Sequence, residues 1–222
     1  TPILIDGLTS LEYRGYDSAG IFLSESGGIK SVGAVENLRA KIVTEELNGK
    51  SGIAHLRWAT HGEPTEVNAH PHSDCAENIW VVHNGIIENF KHIKEKLMSE
   101  GHVFKSVTDT EVLAHLIEHY IAVKNDFEQA VVSALNEVQG TYGLAISYKK
   151  EPQKIIAARM GAPVVLGLGD GENFIAFCYF NNGGFFVGSG EIYNPIPGRE
   201  TAQASQSHYD LGDYRARGGR GG

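Results

Sequence analysis

Cysteine is scarce in this sequence: two in 222 residues, Cys75 and Cys178. Two thiols cannot build a disulfide framework, so the default setting is a reducing cytoplasm. Basic charge is in deficit, with 19 Lys and Arg against 27 Asp and Glu and a formal net charge of -8. That balance excludes a generally basic nucleic-acid or membrane-surface binder. Long apolar runs are missing as well. None approaches the ~20 residues of a membrane span, and the opening residues have no signal-peptide pattern. No segment repeats elsewhere in the chain. The first residue is Thr1 rather than Met, which reads as a processed product or a fragment. What is present is an ordinary globular composition, in a length that suits one large domain or two small ones and can bury a real core.

Apolar periodicity and turn residues divide the chain. Thr1-Pro2 reads as a helix cap and first helical position, with Ile3, Leu4, Leu8 and Leu11 as the stripe that follows. Strands are expected over 18–24 and 29–32, then an amphipathic helix over 35–47 closed by Asn48-Gly49. Further strands are expected at 53–58 and 79–83. Between them, 59–77 is a polar loop with two prolines, and a loop of that length in a compact domain is usually functional. Helices follow over 89–100, 109–123 and 127–138. Short strands follow at 145–148, 155–158, 164–168 and 174–177. Helices and strands do not alternate regularly, so the expectation is an α+β fold with antiparallel sheets. From about residue 181 the text becomes rich in Gly, Ser and Gln without periodicity. The packed domain is therefore bounded at 1–180, and 181–222 reads as an irregular tail.

Three segments carry polar residues that their neighbours do not explain: His55-Leu56-Arg57-Trp58-Ala59-Thr60-His61-Gly62, His83-Asn84-Gly85 and Thr108-Asp109-Thr110-Glu111. Each has a bland explanation on its own. Asn-Gly is a common turn pair, Asp at a helix start is a cap, and Arg57 suits a core-edge cation.

Together they carry a resemblance. Leu11-Glu12-Tyr13-Arg14-Gly15-Tyr16-Asp17-Ser18-Ala19-Gly20 is similar to a signature of the glutamine–fructose-6-phosphate aminotransferases. So are Arg57 to Thr65, Asn68-Ala69-His70-Pro71-His72, Val82 to Asn89 and Thr108-Asp109-Thr110-Glu111-Val112, in the same order and spacing. The resemblance covers about residues 1–177 and falls on the family's N-terminal glutaminase domain, a class II glutamine amidotransferase. It implies an αββα sandwich of the N-terminal-nucleophile hydrolase type. The purine-pathway phosphoribosyl enzyme would read differently at Tyr13 to Tyr16.

The resemblance also implies roles. Arg57 would take the α-carboxylate of L-glutamine, for which its planar fork is suited. Asp109 would take the ammonium. The Asn84 amide and the Gly85 N–H would donate to the oxyanion, and Trp58, Thr60 and His61 would shape the pocket. No cofactor and no metal is implied. In the intact enzyme, expected to be a homo-oligomer, sugar-isomerase domains bind fructose 6-phosphate. The departures are as informative. The family's nucleophile is an N-terminal cysteine on an opening Cys-Gly-Ile-Val-Gly strand, and neither Thr1, Cys75 nor Cys178 matches it. The chain as it stands is therefore expected not to hydrolyse glutamine, and the domain to be incomplete at both ends. Arg215 to Gly222 looks like a single RGG copy, but permissible codons for 208–220, shifted by one nucleotide, can give text similar to the family's segment ahead of its sugar-phosphate domain. A frameshifted tail without useful RNA binding is the expectation.

Two rival readings remain. One is a glutamine-binding module without a nucleophile. The other is a metal-dependent hydrolase, because His115-Leu116-Ile117-Glu118-His119 spells the H-x-x-E-H zinc motif. The helix there is already amphipathic, with the histidines expected near its polar edge, and no third ligand stands at a suitable spacing. His70-Pro71-His72 with Cys75 is a second ligand-like cluster, expected to structure its loop.

Overall fold

The computed structural model describes residues 2–193, apart from 15, 46, 59–61, 163, 169–172, 179–182 and 189–191. Thr60, His61 and the text from 194 to 222 lie outside the described residues. The chain runs α1 (Pro2–Leu11), a 3-10 turn (Glu12–Arg14), β1 (Ser18–Leu23), β2 (Gly27–Val32), α2 (Val35–Val43), β3 (Gly52–Arg57), β4 (His72–Ser73) and β5 (Ile79–Ile87). It continues with α3 (Phe90–Ser99), α4 (Glu111–Lys124), α5 (Phe127–Glu137), β6 (Gly140–Tyr148), β7 (Ile155–Met160), β8 (Val165–Leu168), β9 (Asn173–Cys178), β10 (Gly183–Gly188) and β11 (Ile192–Tyr193).

The strands form sheets ordered β2-β1-β3, β10-β9-β8 and β11-β7-β6-β5-β4, and all pairings are antiparallel except β11 with β7. β10 runs alongside β3 and α1, so the two three-stranded sheets make one layer. Alternation along each strand sorts the core into three slabs. Ala19, Ile21 and Leu23 of β1, with Ala54 and Leu56 of β3, pack under α1 and α2. Ile79 and Val81 of β5, with Leu144 and Ile146 of β6, pack under α3, α4 and α5. The opposite faces meet each other through Phe22, Ile53, Trp80, Val82, Ala145, Ile175 and Phe177. Helices, sheet, sheet, helices: this is the αββα sandwich.

Three boundaries differ from the sequence reading for physical reasons. α2 stops at Val43 instead of 47. The Thr44 N–H bonds to Lys41 O and the Glu45 N–H to Ile42 O, a tightening of the last turn that ends the helix. β5 does not end at His83. It carries His83-Asn84-Gly85 onward, opposite Leu144, Gly143 and Tyr142 of β6, so the Asn-Gly pair is strand and not turn. Third, strands continue past residue 180. β10 pairs with β9 over its whole length and β11 with β7, so the packed sheets extend to Tyr193. The apolar Phe185-Phe186-Val187 run was hidden among glycines that suggested a tail.

Candidate active site

Strand parity assembles the site. On β3, Ile53, His55 and Arg57 share the face turned toward the other sheet. On β5, Trp80, Val82 and Asn84 look back at them. The two faces join where the His55 Nε2 and Asn84 Oδ1 lie 2.7 Å apart. Burial pushes His55 down to about 4, against its hydrogen bond to the Asn84 amide oxygen. The ring is therefore neutral, and its Nε2–H donates to the amide oxygen. That orients Asn84 so that its NH2 group is the end turned to donate elsewhere.

Gly85 follows with φ +137°, and a Cβ there would stand 2.0 Å from the Thr141 carbonyl oxygen, so only glycine fits. The ladder sets where its N–H points. Bonds from Lys149 N–H to Asn78 O and from Glu88 N–H to Gln139 O, both 2.9 Å, make the even-numbered residues of β5 the bonded partners of β6. The N–H groups of the odd residues Gly85 and Ile87 face the other edge. The Ile87 N–H donates to Asp109 Oδ2 at 2.8 Å, which pins the residue two before α4 beside that edge. An amide NH2 and a backbone N–H on adjacent residues can donate to one developing oxyanion, with a carboxylate held two positions along the same strand.

Arg57 ends β3 with a side chain only 6% exposed, 3.6 Å from the Asp17 carboxylate. Its Nη2 donates to the Gly62 carbonyl at 3.2 Å and its Nη1 to the Glu63 carbonyl at 3.4 Å. The guanidinium thus organises the start of the 59–77 loop at the sheet edge. Asn68 ties that loop onward, donating to Glu63 O at 3.0 Å and accepting from the Val107 N–H at 3.2 Å. Trp58 is exposed and stands edge-on to Tyr16, with centroids 6.4 Å apart. Arg57, Asn84, Gly85 and Asp109 therefore lie on neighbouring strand ends and the start of α4.

The sequence reading missed a supporting layer of histidines. His70 stacks on His55 with centroids 4.3 Å apart. Its Nε2 is 3.0 Å from Thr110 Oγ1, which is also 3.0 Å from His83 Nδ1. One hydroxyl carries one proton, so the two rings need complementary tautomers. His83 is lowered by burial and holds a hydrogen bond to the Thr141 backbone. Its Nδ1 is then the acceptor from Thr110, and His70 Nε2–H is the donor. Burial, then the neighbouring basic groups, also keeps His70 and His72 well below their ordinary value. The signal was present as the His70-Pro71-His72 motif, but only the fold shows both rings turned inward. Cys75 is not with them. It lies near His102 and His115, on the side where α4 packs. His115 itself is buried, 1% exposed, and not at the polar edge expected for it.

Comparison with known proteins follows this geometry. The glutamine amidotransferase domain family matches residues 55–176. The chain belongs to that family. Among similar proteins, the glutamine–fructose-6-phosphate aminotransferase [isomerizing] of Thermococcus kodakarensis is 46% identical over 197 residues, which are 85% of this chain and 33% of that protein. The enzyme of the same name from Bacteroides thetaiotaomicron is 52% identical over 181 residues, 79% of this chain and 29% of that protein. The chain thus spans about a third of the length of these curated relatives. A solved glutamine phosphoribosylpyrophosphate amidotransferase from B. subtilis, complexed with ADP and GMP, matches at TM-score 0.66 and 25% identity, over 83% of this chain and 42% of that one. The amidotransferase fold is thus shared with the purine enzyme, while the sequence is much closer to the aminotransferases. Among the described residues, no helix is long and apolar enough to cross a membrane.

Proposed function

We propose that this amidotransferase domain binds L-glutamine and releases its amide nitrogen as ammonia for a glutamine–fructose-6-phosphate aminotransferase. The observation that carries this reading is the Asn84-Gly85 pair: an amide locked by neutral His55 beside a backbone N–H that the β6 ladder does not use. Two donors converging there suit the oxygen of a tetrahedral intermediate. In this reading Asp109 would take the substrate ammonium and Arg57 its α-carboxylate, and the resemblance assigns Trp58, Thr60 and His61 to shaping the pocket. In this reading a thiolate attacks the amide carbonyl, the oxyanion forms against Asn84 and Gly85, and ammonia leaves. Water then cleaves the thioester to glutamate. The resemblance assigns the thiolate to an N-terminal cysteine, whereas position 1 here is Thr1. The fructose 6-phosphate partner domain, the homo-oligomeric state and the cytoplasmic setting belong to the same proposal.

Calorimetric titration of the 222-residue chain with L-glutamine tests it without needing a nucleophile. Asp109→Asn and Arg57→Lys should each weaken binding at least about tenfold, since both charges of the substrate head persist through the reaction. Asn84→Ala should leave affinity nearly unchanged. Equal affinity in all three variants would refute the assignment. The lysine variant keeps the buried charge and guards against simple unfolding.

A further inference from the structure

The spelling H-x-x-E-H lacks a third ligand in the sequence, but the fold supplies two. We propose that Cys75, His102, His115 and Glu118 form a structural zinc site behind the amidotransferase pocket. One ligand atom from each of the four lies within 4.8 Å of every other. They come from three separate segments: the turn before β5, the connection from α3 to α4, and α4 itself.

Three of the four spacings are close to those of a coordination shell, and the fourth, His102 to Glu118, is of hydrogen-bond length. Cys75 Sγ is 3.4 Å from His115 Nδ1 and 3.7 Å from His102 Nδ1. Glu118 Oε2 is 3.4 Å from His115 Nδ1 and 2.9 Å from His102 Nδ1. Tetrahedral zinc, with bonds of about 2.3 Å to sulfur and about 2.0–2.1 Å to nitrogen and oxygen, requires edges of about 3.5 Å and about 3.3 Å. Hydrogen bonding explains the same set less well. The His115 Nδ1 can point its single in-plane site at one partner, yet sulfur and oxygen both sit 3.4 Å away. That is beyond the usual N–H···O length and equal to a ligand–ligand edge.

The surroundings match a metal site too. A ligating imidazole usually gives its other N–H to a carboxylate. His115 Nε2 faces Glu111 Oε1 at 3.6 Å. Glu111 is itself held by the N–H groups of Lys105 and Ser106 at 2.7 and 2.6 Å. Phe104 covers the His115 ring, with centroids 4.3 Å apart. Cys75 is exposed, which leaves an entry path. A thiolate, two imidazoles and a carboxylate select zinc over magnesium or calcium. Four protein ligands leave no open position, so the ion would hold structure and not activate water. The Cys75 proton would go to solvent on binding. His119 stands apart, its Nδ1 2.9 Å from Glu100 Oε2.

The test is cobalt titration of the untagged 222-residue chain after chelator treatment, followed by zinc displacement. The expected result is one equivalent of cobalt, with a thiolate-to-cobalt charge-transfer band that zinc abolishes. Cys75→Ala, at an exposed position, should lose the band, and with His102→Gln should weaken uptake at least about tenfold while circular dichroism shows a folded chain. No stoichiometric uptake by the folded wild type overturns the proposal. So does a Cys75→Ala variant with unchanged affinity. Neither outcome bears on glutamine binding, which uses other residues.

Discussion

The molecule holds two gatherings of histidine that differ in what faces the rings. Inside, His55, His70, His72 and His83 meet an amide and two threonine hydroxyls. Burial dominates there and lowers all four. Outside, His102, His115 and His119 meet the carboxylates of Glu118, Glu111 and Glu100. Burial would lower His115 as well, but Glu111 and Glu118 outweigh it and raise it. The same residue type thus serves as a neutral, fixed-tautomer strut in one place and as a partner of negative charge in the other. The two regions are joined. His72 Nε2–H can donate to Thr108, Thr108 to Ser106, and Ser106 to Glu111, over 3.1, 2.9 and 2.6 Å. Glu111, whose carboxyl is brought down to about 2 by the neighbouring His115 and by hydrogen bonds from Ser106 and the backbone despite its burial, is shared by both.

The inner region is tested hardest at Asn84. In a polypeptide where the family's Cys-initiated strand precedes Thr1, Asn84→Ala should cost roughly 10²–10³ in kcat with little change in KM. His55→Phe should cost less, about 10–100-fold, because the amide remains but is no longer held. Steady-state kinetics decides. Intact kcat in Asn84→Ala, with kcat alone lost in Arg57→Ala, would reverse the roles and make the inner histidines mere packing.

Gly85→Ala should follow in size and act on stability. The new Cβ meets a backbone carbonyl at 2.0 Å, at a φ of +137° that other residues avoid. A backbone atom cannot swing away as a side chain can, so a loss of about 3 kcal/mol is expected in urea unfolding. A loss under about 1 kcal/mol would mean that β5 and β6 can separate here, and that the donor geometry is looser than described.

Acid separates the two regions by sign. The inner histidines have folded pKa values below the unfolded value of about 6.5, with His55 at about 4. The unfolded chain therefore binds more protons below about pH 6.5. Stability is full above that value and falls as pH drops, by up to about 1.4 kcal/mol per pH unit for each histidine. Urea midpoints measured from pH 7.5 to 5.5 should decline, with net proton uptake on unfolding. A flat profile would show that the inner rings are protonated in the folded chain, and the tautomer chain through Thr110 would fall with it.

Much of this fold was legible from residues 1–178. Helix periods there are strong because one face is buried, as in α5, while β1, buried on both faces, shows as a continuous apolar run. Asp126 illustrates the local signals, accepting the Gln129 N–H at 2.8 Å as a cap should. The stretch 183–193 was misjudged because its glycines outweighed a short apolar run whose partner strand is already in place. For the candidate site, Arg57, Asn84, Gly85 and Asp109 were singled out through motifs, and the fold sets His55 of the Arg57 strand against Asn84 and Asp109 against the Ile87 N–H. His70 and Cys75 were grouped because they are five residues apart in the chain. Folding sends one between the sheets and the other to α4, and no spacing rule in a loop can foresee that.

The smallest expected effect is at His119, and it discriminates within the outer region. His119 is the last letter of the H-x-x-E-H spelling, four residues after His115 and on the same side of α4. A helical zinc motif would use both. The fold instead turns His119 toward Glu100, with side chains 28% and 35% exposed. Glu100, His102 and His119 form a second group whose ligand atoms lie within 4.8 Å of one another, and it shares His102 with the first. Exposed pairs of this kind contribute about 0–1 kcal/mol. His119→Ala should therefore shift the urea midpoint barely at all and leave cobalt uptake and the thiolate band as in the wild type. If it weakened uptake as much as Cys75→Ala does, the ion would sit on the motif's own two histidines, and the assignment of Glu118 and Cys75 would be wrong.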